Sequence, residues 1–529
     1  MKRRQFLGSV AAVALFIGMA GGAAYADTPA DTLVIAKVID DAISFDPAES
    51  YEDTSSEVLH NTYEALVEYD AADLSELSGG VAESWTFSPD NKTVTFKLRS
   101  GVTFASGNPL TANDVVYSFT RVVKADKTPA FILKQFGWTA DNVGSMIKAV
   151  DDHTFEMTIT VDYAPSLVLN ILSSVNASVV DSKTVMENEK DGDFGLAYLK
   201  DKSAGSGPFV LKTWKPNQTV MLQSNPSYRQ GEPAMKRVVL RHVPEAASQR
   251  LLLEKGDVDI ASNLPGDQIK AVESNPDIAV SRNNTTRNLY IGLSQSVEAF
   301  TKPQVREALK YLVDYKGMTE TLLKGEFTIL QSFWPSGFYA SVDENPYTYD
   351  VEKAKALLAE AGYKDGLSFK LSVRNVSPAI DIAQAVQQSM SAAGIKMEIL
   401  QTDQKQFITA YRGRQFEAAL GTWEPDFLDP HANAATFALN TDNGPDASTK
   451  SVAWRNSWKD DAVNAMTEAA VREPDDKKRI EMYKDLQRRV MADGPYIGLV
   501  QRTSQIAMRA NVKGYVVGPA MIFYRLVTK

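Results

Sequence analysis

WTFSPDNKTVTFKLRSGVTFASGNPLTANDVVYSF, running from Trp85 to Phe119, reads as one fixed supersecondary unit. Val94, Phe96 and Leu98 alternate with Thr93, Thr95, Lys97 and Arg99, the period-two pattern of a half-buried strand. The SPDN run at 88–91 supplies the turn back to Trp85 and Phe87, which makes a hairpin. A second turn, Gly107-Asn108-Pro109, precedes Thr111, whose hydroxyl is suited to cap a helix, with Asp114 at the third helical position. Val115, Val116 and Phe119 give that helix a buried face.

The order hairpin, extended turn, capped helix resembles the signature of family 5 of the bacterial solute-binding proteins, which serve peptide and nickel ABC importers. The resemblance extends over nearly the whole chain beyond its leader. It implies an α/β, bilobed periplasmic binding protein fold with an additional small inserted lobe, of the large cluster C type, and a two-strand hinge.

Outward to the beginning of the sequence, Lys2, Arg3 and Arg4 precede an apolar run from Val10 to Ala20 and the small residues Ala24-Tyr25-Ala26. This is the pattern of a cleavable signal peptide spanning 1–26, and RRQFL at 3–7 fits a twin-arginine leader as well as a Sec one. The expected location is the periplasm. No later apolar run is long enough to cross a bilayer, and with no cysteine there is neither a disulfide framework nor a thiol to carry a lipid anchor. Losing the three basic residues of the leader moves the formal net charge from -10 to -13, which disfavours nucleic acid and anionic membrane as partners.

Without the expected leader, a chain of about 500 residues exceeds what one hydrophobic core usually supports. LVIAKV at 33–38 reads as a buried opening strand, followed by a helix capped at Thr54 with Glu57 three residues on. The division expected from the resemblance places 27–72, 199–287 and 503–529 in lobe I. Residues 73–198 form the inserted small lobe and 288–502 form lobe II, with crossings near 288 and 502. Gly205, Gly207 and Pro208 form a tight turn lacking the spacing and the lysine of a phosphate loop. VVLRHVPEAASQRLLLEKGDVDIA at 238–261 reads as strand, helix and strand, with Leu251, Leu252 and Leu253 inside and Gly256 ending the helix.

The chemistry is expected where SFKLSVRN at 368–375 and FEAALGTWEPDFLDPHANAATF at 416–437 end in polar loops, because open α/β sheets bind ligands beyond the carboxyl ends of their strands. In peptide-binding members of the family, Trp, two residues, Asp, two residues, Asp-Pro carries an aspartate that pairs with the ligand α-amino group. Here that pattern falls on Trp423, Asp426, Asp429 and Pro430. A carboxylate in a closed cleft is costly to dehydrate unless a cation pairs with it, so Asp426 would select an ammonium group; otherwise it caps a turn. Asp429 reads as structural, through turn bonds. Trp423 either stacks on the ligand or braces the loop. Arg374 either forks onto a ligand carboxylate or makes an inter-lobe salt bridge. From lobe I, Tyr51, Asp53 and Thr54 approach the ligand by resemblance, although capping alone explains Thr54. Trp334, with Phe333 and Tyr339, offers a cleft wall or a core cluster.

His431 follows the Asp-Pro step, as in nickel-binding members, but one histidine among four is a poor metal site by itself. Neither GxSxG nor HExxH occurs, so an exported hydrolase is a minor alternative. The reading is therefore a cofactor-free, monomeric receptor that delivers a di- or oligopeptide to an inner-membrane ABC permease. A nickel chelate, an opine or an oligosaccharide is the alternative cargo.

Overall fold

The computed structural model describes residues 27–70, 77–518 and 521–529. The expected leader, 1–26, and the expected boundary at 72/73 lie outside the described residues. An eleven-stranded sheet forms the backbone of the molecule. Its path runs Lys396–Thr402, Ser368–Arg374, Ala418–Trp423, Ile278–Leu293, Tyr496–Arg509, Ile260–Ala261, Thr32–Lys37, Arg237–His242, Thr219–Ser224 and Phe209–Lys215, with Phe327–Ile329 attached to Tyr496–Arg509. The two central strands, of 16 and 14 residues, are antiparallel partners along most of their length and belong to both halves of this path.

In one half, Ser368–Arg374 pairs in parallel with Lys396–Thr402 and with Ala418–Trp423. The helices Ala379–Ser391 and Gln404–Arg412 are the crossovers that parallel pairing requires. The apolar face of Ala379–Ser391 joins Leu371, Val373, Leu420, Leu309 and neighbours in one core, while Phe407 and Tyr411 of Gln404–Arg412 pack with Ala419 in a smaller cluster. In the other half, Thr32–Lys37 lies between the parallel strands Arg237–His242 and Ile260–Ala261, over a separate core around Leu33, Ile35, Leu222 and Leu240. The mixed α/β, bilobed organisation expected of the sequence is present.

The opening stretch folds as read. Ala82–Phe87 and Thr93–Leu98 form the hairpin, extended by Thr154–Thr158 and Ile147–Asp151 into a four-stranded sheet. The helix Ala112–Ala125 covers it with Val115, Phe119 and Val122. Its cap differs in detail: the Asp114 carboxylate accepts from the Thr111 backbone N–H at 2.8 Å and also takes the Thr111 hydroxyl at 2.9 Å. The hydroxyl therefore faces the carboxylate.

Three further expectations are corrected. The helix Asp53–Thr62 starts one residue before Thr54 and has Glu52 at its cap, without a side-chain cap bond. Thr54 is buried in the first turn, where its backbone N–H donates to the Asp41 carboxylate at 2.9 Å. Of the three leucines in the helix Ala246–Lys255 only Leu253 is fully buried, while Leu251 is 47% exposed, because three consecutive residues span most of a helical turn and cannot share a face. Gly205 and Gly207 lie against the Thr62–Tyr63 backbone so closely that a Cβ at Gly205 would fall 2.1 Å from the Thr62 carbonyl oxygen, so close approach explains them.

Candidate functional site

The strand Ala418–Trp423 ends in the loop that carries Glu424, Asp426 and Asp429 before the helix Pro430–Phe437. Facing it, the chain just ahead of the helix Asp53–Thr62 brings Tyr51, 40% exposed, to donate its hydroxyl proton to Asp426. The two residues come from opposite halves of the large sheet. Burial raises the Asp426 carboxyl above its ordinary value, and the Tyr51 hydrogen bond offsets only part of that rise. The Tyr51 hydroxyl is raised in turn by burial and by the nearby Asp426 charge. Among the described residues no cation stands within ion-pair distance of Asp426.

Arg374, at the end of Ser368–Arg374, donates to the Thr422 hydroxyl at 2.6 Å and to Gln404 at 3.4 Å. Both partners are neutral, and the inter-lobe salt bridge is not formed among the described residues. Burial and then repulsion from Arg287 lower the tendency of Arg374 to hold its proton. Arg287 pairs with Glu424 at 2.8 Å and reaches the exposed Asp53 at 3.8 Å. Arg502, on Tyr496–Arg509, is also depressed by burial and by Arg287.

Asp429 has the opposite setting. It is fully buried, accepts from the His431 backbone N–H at 2.8 Å as cap of the following helix, and receives both Nη atoms of Arg479 at 2.8 and 2.7 Å. Asn170, from the small-sheet region, donates to it at 3.0 Å, and Arg479 also reaches Ser166 at 3.2 Å. Burial alone would raise the Asp429 carboxyl, but the Arg479 charge holds it below its usual range. Tyr69 bonds Asn170 at 2.5 Å and the Leu428 carbonyl at 3.3 Å, and the Ala164 N–H donates to the Val471 carbonyl at 2.8 Å. The small-sheet region and the Asp429 loop are thus docked on one another.

The remaining predicted residues divide. Trp423 donates its indole N–H to Asn433 at 3.0 Å and meets Phe437 edge-on at 6.0 Å, contacts that brace the loop. Trp334 is not a cleft wall: it is 0% exposed, donates to the Tyr339 carbonyl at 2.8 Å, and packs in a core with Phe333 and Phe437. Thr54 is likewise internal. His431 is 8% exposed and its Nδ1 lies 3.0 Å from the Tyr483 hydroxyl, with burial lowering its pKa to about 4. It is neither exposed nor turned toward Asp426, and no group of three His, Cys, Asp or Glu side chains is placed to hold a metal among the described residues. A cavity lined by His60, Tyr63, Glu64, Tyr69 and Tyr228 among others lies beside the helix Asp53–Thr62, and none of the predicted site residues lines it.

Sequence reasoning missed Arg287, Glu424, Arg502, Arg479 and Asn170. Arg287 and Arg502 adjoin the expected crossings at 288 and 502, a signal that was available. Arg479 was hidden in DKKRIEMYKDLQRR, 476–489, where a basic residue reads as part of a solvated helix face.

A cleft lined by polar groups from two lobes on a shared pair of central strands defines a solute-binding protein. The sequence pattern of the bacterial extracellular solute-binding proteins, family 5, matches residues 76–445, and the chain belongs to that family. It is 30% identical over 505 residues to the "Probable D,D-dipeptide-binding periplasmic protein DdpA" of Escherichia coli (strain K12), covering 94% of each. Among solved structures, HbpA2 from Haemophilus parasuis superposes with a TM-score of 0.81 at 23% identity, over 94% of this chain and 99% of that one. The periplasmic binding protein DppA from Helicobacter pylori, in complex with the peptide STSA, gives 0.74 at 24% identity, over 94% and 98%.

Proposed function

We propose that this protein is the periplasmic receptor of an ABC importer, closing around a peptide-like solute and presenting it to an inner-membrane permease. The observation that carries the peptide reading is Asp426. It is a partly buried carboxylate, raised above its ordinary pKa, whose side-chain partner among the described residues is a neutral tyrosine hydroxyl from the opposite lobe. A ligand ammonium would supply the missing cation, and its binding would join the two lobes. The dipeptide named for the Escherichia coli relative and the peptide bound to the Helicobacter pylori protein agree with that chemistry.

In this reading lobe I comprises 27–72, 199–287 and 503–529, the small lobe 73–198 and lobe II 288–502. The central strands act as the hinge, and the permease reads the closed shape. The protein binds without catalysing, acts as a monomer, and reaches the periplasm by its leader. Isothermal calorimetry with free and N-acetylated peptides tests the amine argument. Free peptides bind and acetylated ones lose at least tenfold in affinity; equal affinities would remove it.

A further inference from the structure

Three arginines stand in a row across the cleft-facing edge of the central sheet. Arg374 ends its strand and bonds Thr422 on the next. Arg287 immediately precedes Asn288, which pairs with both Trp423 and Gln501, and Arg502 immediately follows Gln501. The row therefore crosses four neighbouring strands, roughly 14 Å at the usual strand spacing, about the length of four extended residues. At its hinge end the pairing of the two long strands is interrupted between Asn284 and Asn288, so Arg502 stands opposite an irregular segment. Such irregularities re-aim side chains out of the regular ladder.

The three guanidinium groups are not equivalent. Arg287 is paired with Glu424 and, more distantly, with Asp53. Arg374 has only a hydroxyl and an amide as partners. Arg502 makes no side-chain hydrogen bond or ion pair to any described residue; Glu424, Glu326 and Asp53 act on it at longer range, and Arg287 repels it. Glu326 is itself engaged, accepting from the Gly266 N–H at 2.9 Å. Against these two cations without a carboxylate partner stands one carboxylate without a cation, Asp426.

We infer that the cargo is an acidic peptide-like solute with one ammonium and two carboxylates: Asp426 takes the ammonium, Arg374 the main-chain carboxylate, and Arg502 the second, side-chain carboxylate. A planar fork suits a carboxylate better than a point charge does, and neither Arg374 nor Arg502 has a carboxylate partner among the described residues. The inference rests on the peptide reading above and narrows it to a charge class.

The test uses the full mature protein freed of ligand and pairs of di-, tri- and tetrapeptides that differ only in a C-terminal Glu or Gln, titrated by calorimetry. The expected result is at least tenfold tighter binding of the Glu member of whichever length binds. In Arg502→Gln that preference falls below threefold while the Gln peptide keeps its affinity, and in Arg502→Lys it is partly retained. Thermal melts of both variants establish that they fold. Equal affinity for Glu and Gln peptides in the native protein, or a preference untouched by Arg502→Gln, overturns the inference and leaves the peptide reading standing. Failure of every peptide to bind overturns the peptide reading itself and the inference with it.

Discussion

Asp426 and Asp429 occupy one loop, three residues apart, and live in opposite worlds. Asp429 is sealed, doubly hydrogen-bonded to Arg479, and held below its ordinary pKa. Asp426 is half-buried, bonded by a tyrosine from the other lobe, and held above its ordinary pKa. The difference is the supply of a fixed cation. Where the protein provides one, the carboxylate becomes part of the framework; where it provides none, the carboxylate keeps its capacity for a cation that arrives from outside. The framework pair also fixes the loop that positions the other aspartate.

Breaking the framework side carries the largest effect. Asp429→Asn leaves the Arg479 charge buried without its partner, and urea unfolding should show a loss of about 3 to 5 kcal/mol. Replacing both members with apolar residues should recover much of that loss, since a buried pair contributes little net stability against well-packed substitutes. If Asp429→Asn melts like the parent, the division between the two aspartates is wrong.

Asp426→Asn should do the reverse. Ligand affinity measured by calorimetry falls by about 2 to 5 kcal/mol, while the unliganded protein is as stable as the parent or slightly more so, because a raised carboxyl is a stability cost at neutral pH. A large loss of stability in this variant would place Asp426 in the framework with Asp429.

His431 offers a pH route into the same contrast. It is neutral in the fold, with Asp429, Arg479, Tyr483 and Tyr163 around its ring, and titrates at about 4. Unfolded, it takes a proton near its ordinary value of about 6.5. Its contribution is therefore present above about pH 6.5 and is lost as pH falls from there to about 4, a total of about 3 kcal/mol from this group. His60, also lowered to about 4 by burial, adds a similar slope. Unfolding of His431→Gln followed across this window should show a shallower pH dependence than the parent, and identical slopes would refute the assignment.

The smallest effect belongs to the bridge between the regions. Tyr51→Phe removes one hydrogen bond to Asp426, and ligand affinity should change by about 0.5 to 1.5 kcal/mol, with stability nearly unaltered.

The repeating elements were legible from sequence because their physics is local. The hairpin at 85–98, the helix after Thr111, the strands at 368–374 and 418–423 and the structural role of Asp429 each follow from periodicity or turn chemistry within a dozen residues. Asp426 and Tyr51 were both named, but their meeting was not, since 375 positions separate them. Arg479 and Asn170 escaped for the same reason: a buried cation on a highly charged helix differs from its neighbours only by what the fold places against it. Trp334 and Thr54 misled because an aromatic or a hydroxyl beside a cleft looks in sequence like one in a core. Leu251 was misplaced by a simpler failure, in which three leucines were assigned one face that the helical period denies them.

The two central strands carry a consequence for the order in which the molecule can come into being. Ile278–Leu293 and Tyr496–Arg509 are separated by about 200 positions, and both lobes depend on the second. At a synthesis rate of roughly 5 to 20 residues per second, about 10 to 40 s pass between the appearance of one and the other. Throughout that interval the first strand has an unmatched edge, able to pair with any extended segment it meets. Asn283, Asn284, Thr285 and Arg287, polar and clustered in its middle, make that edge a poor template for a stranger during the wait.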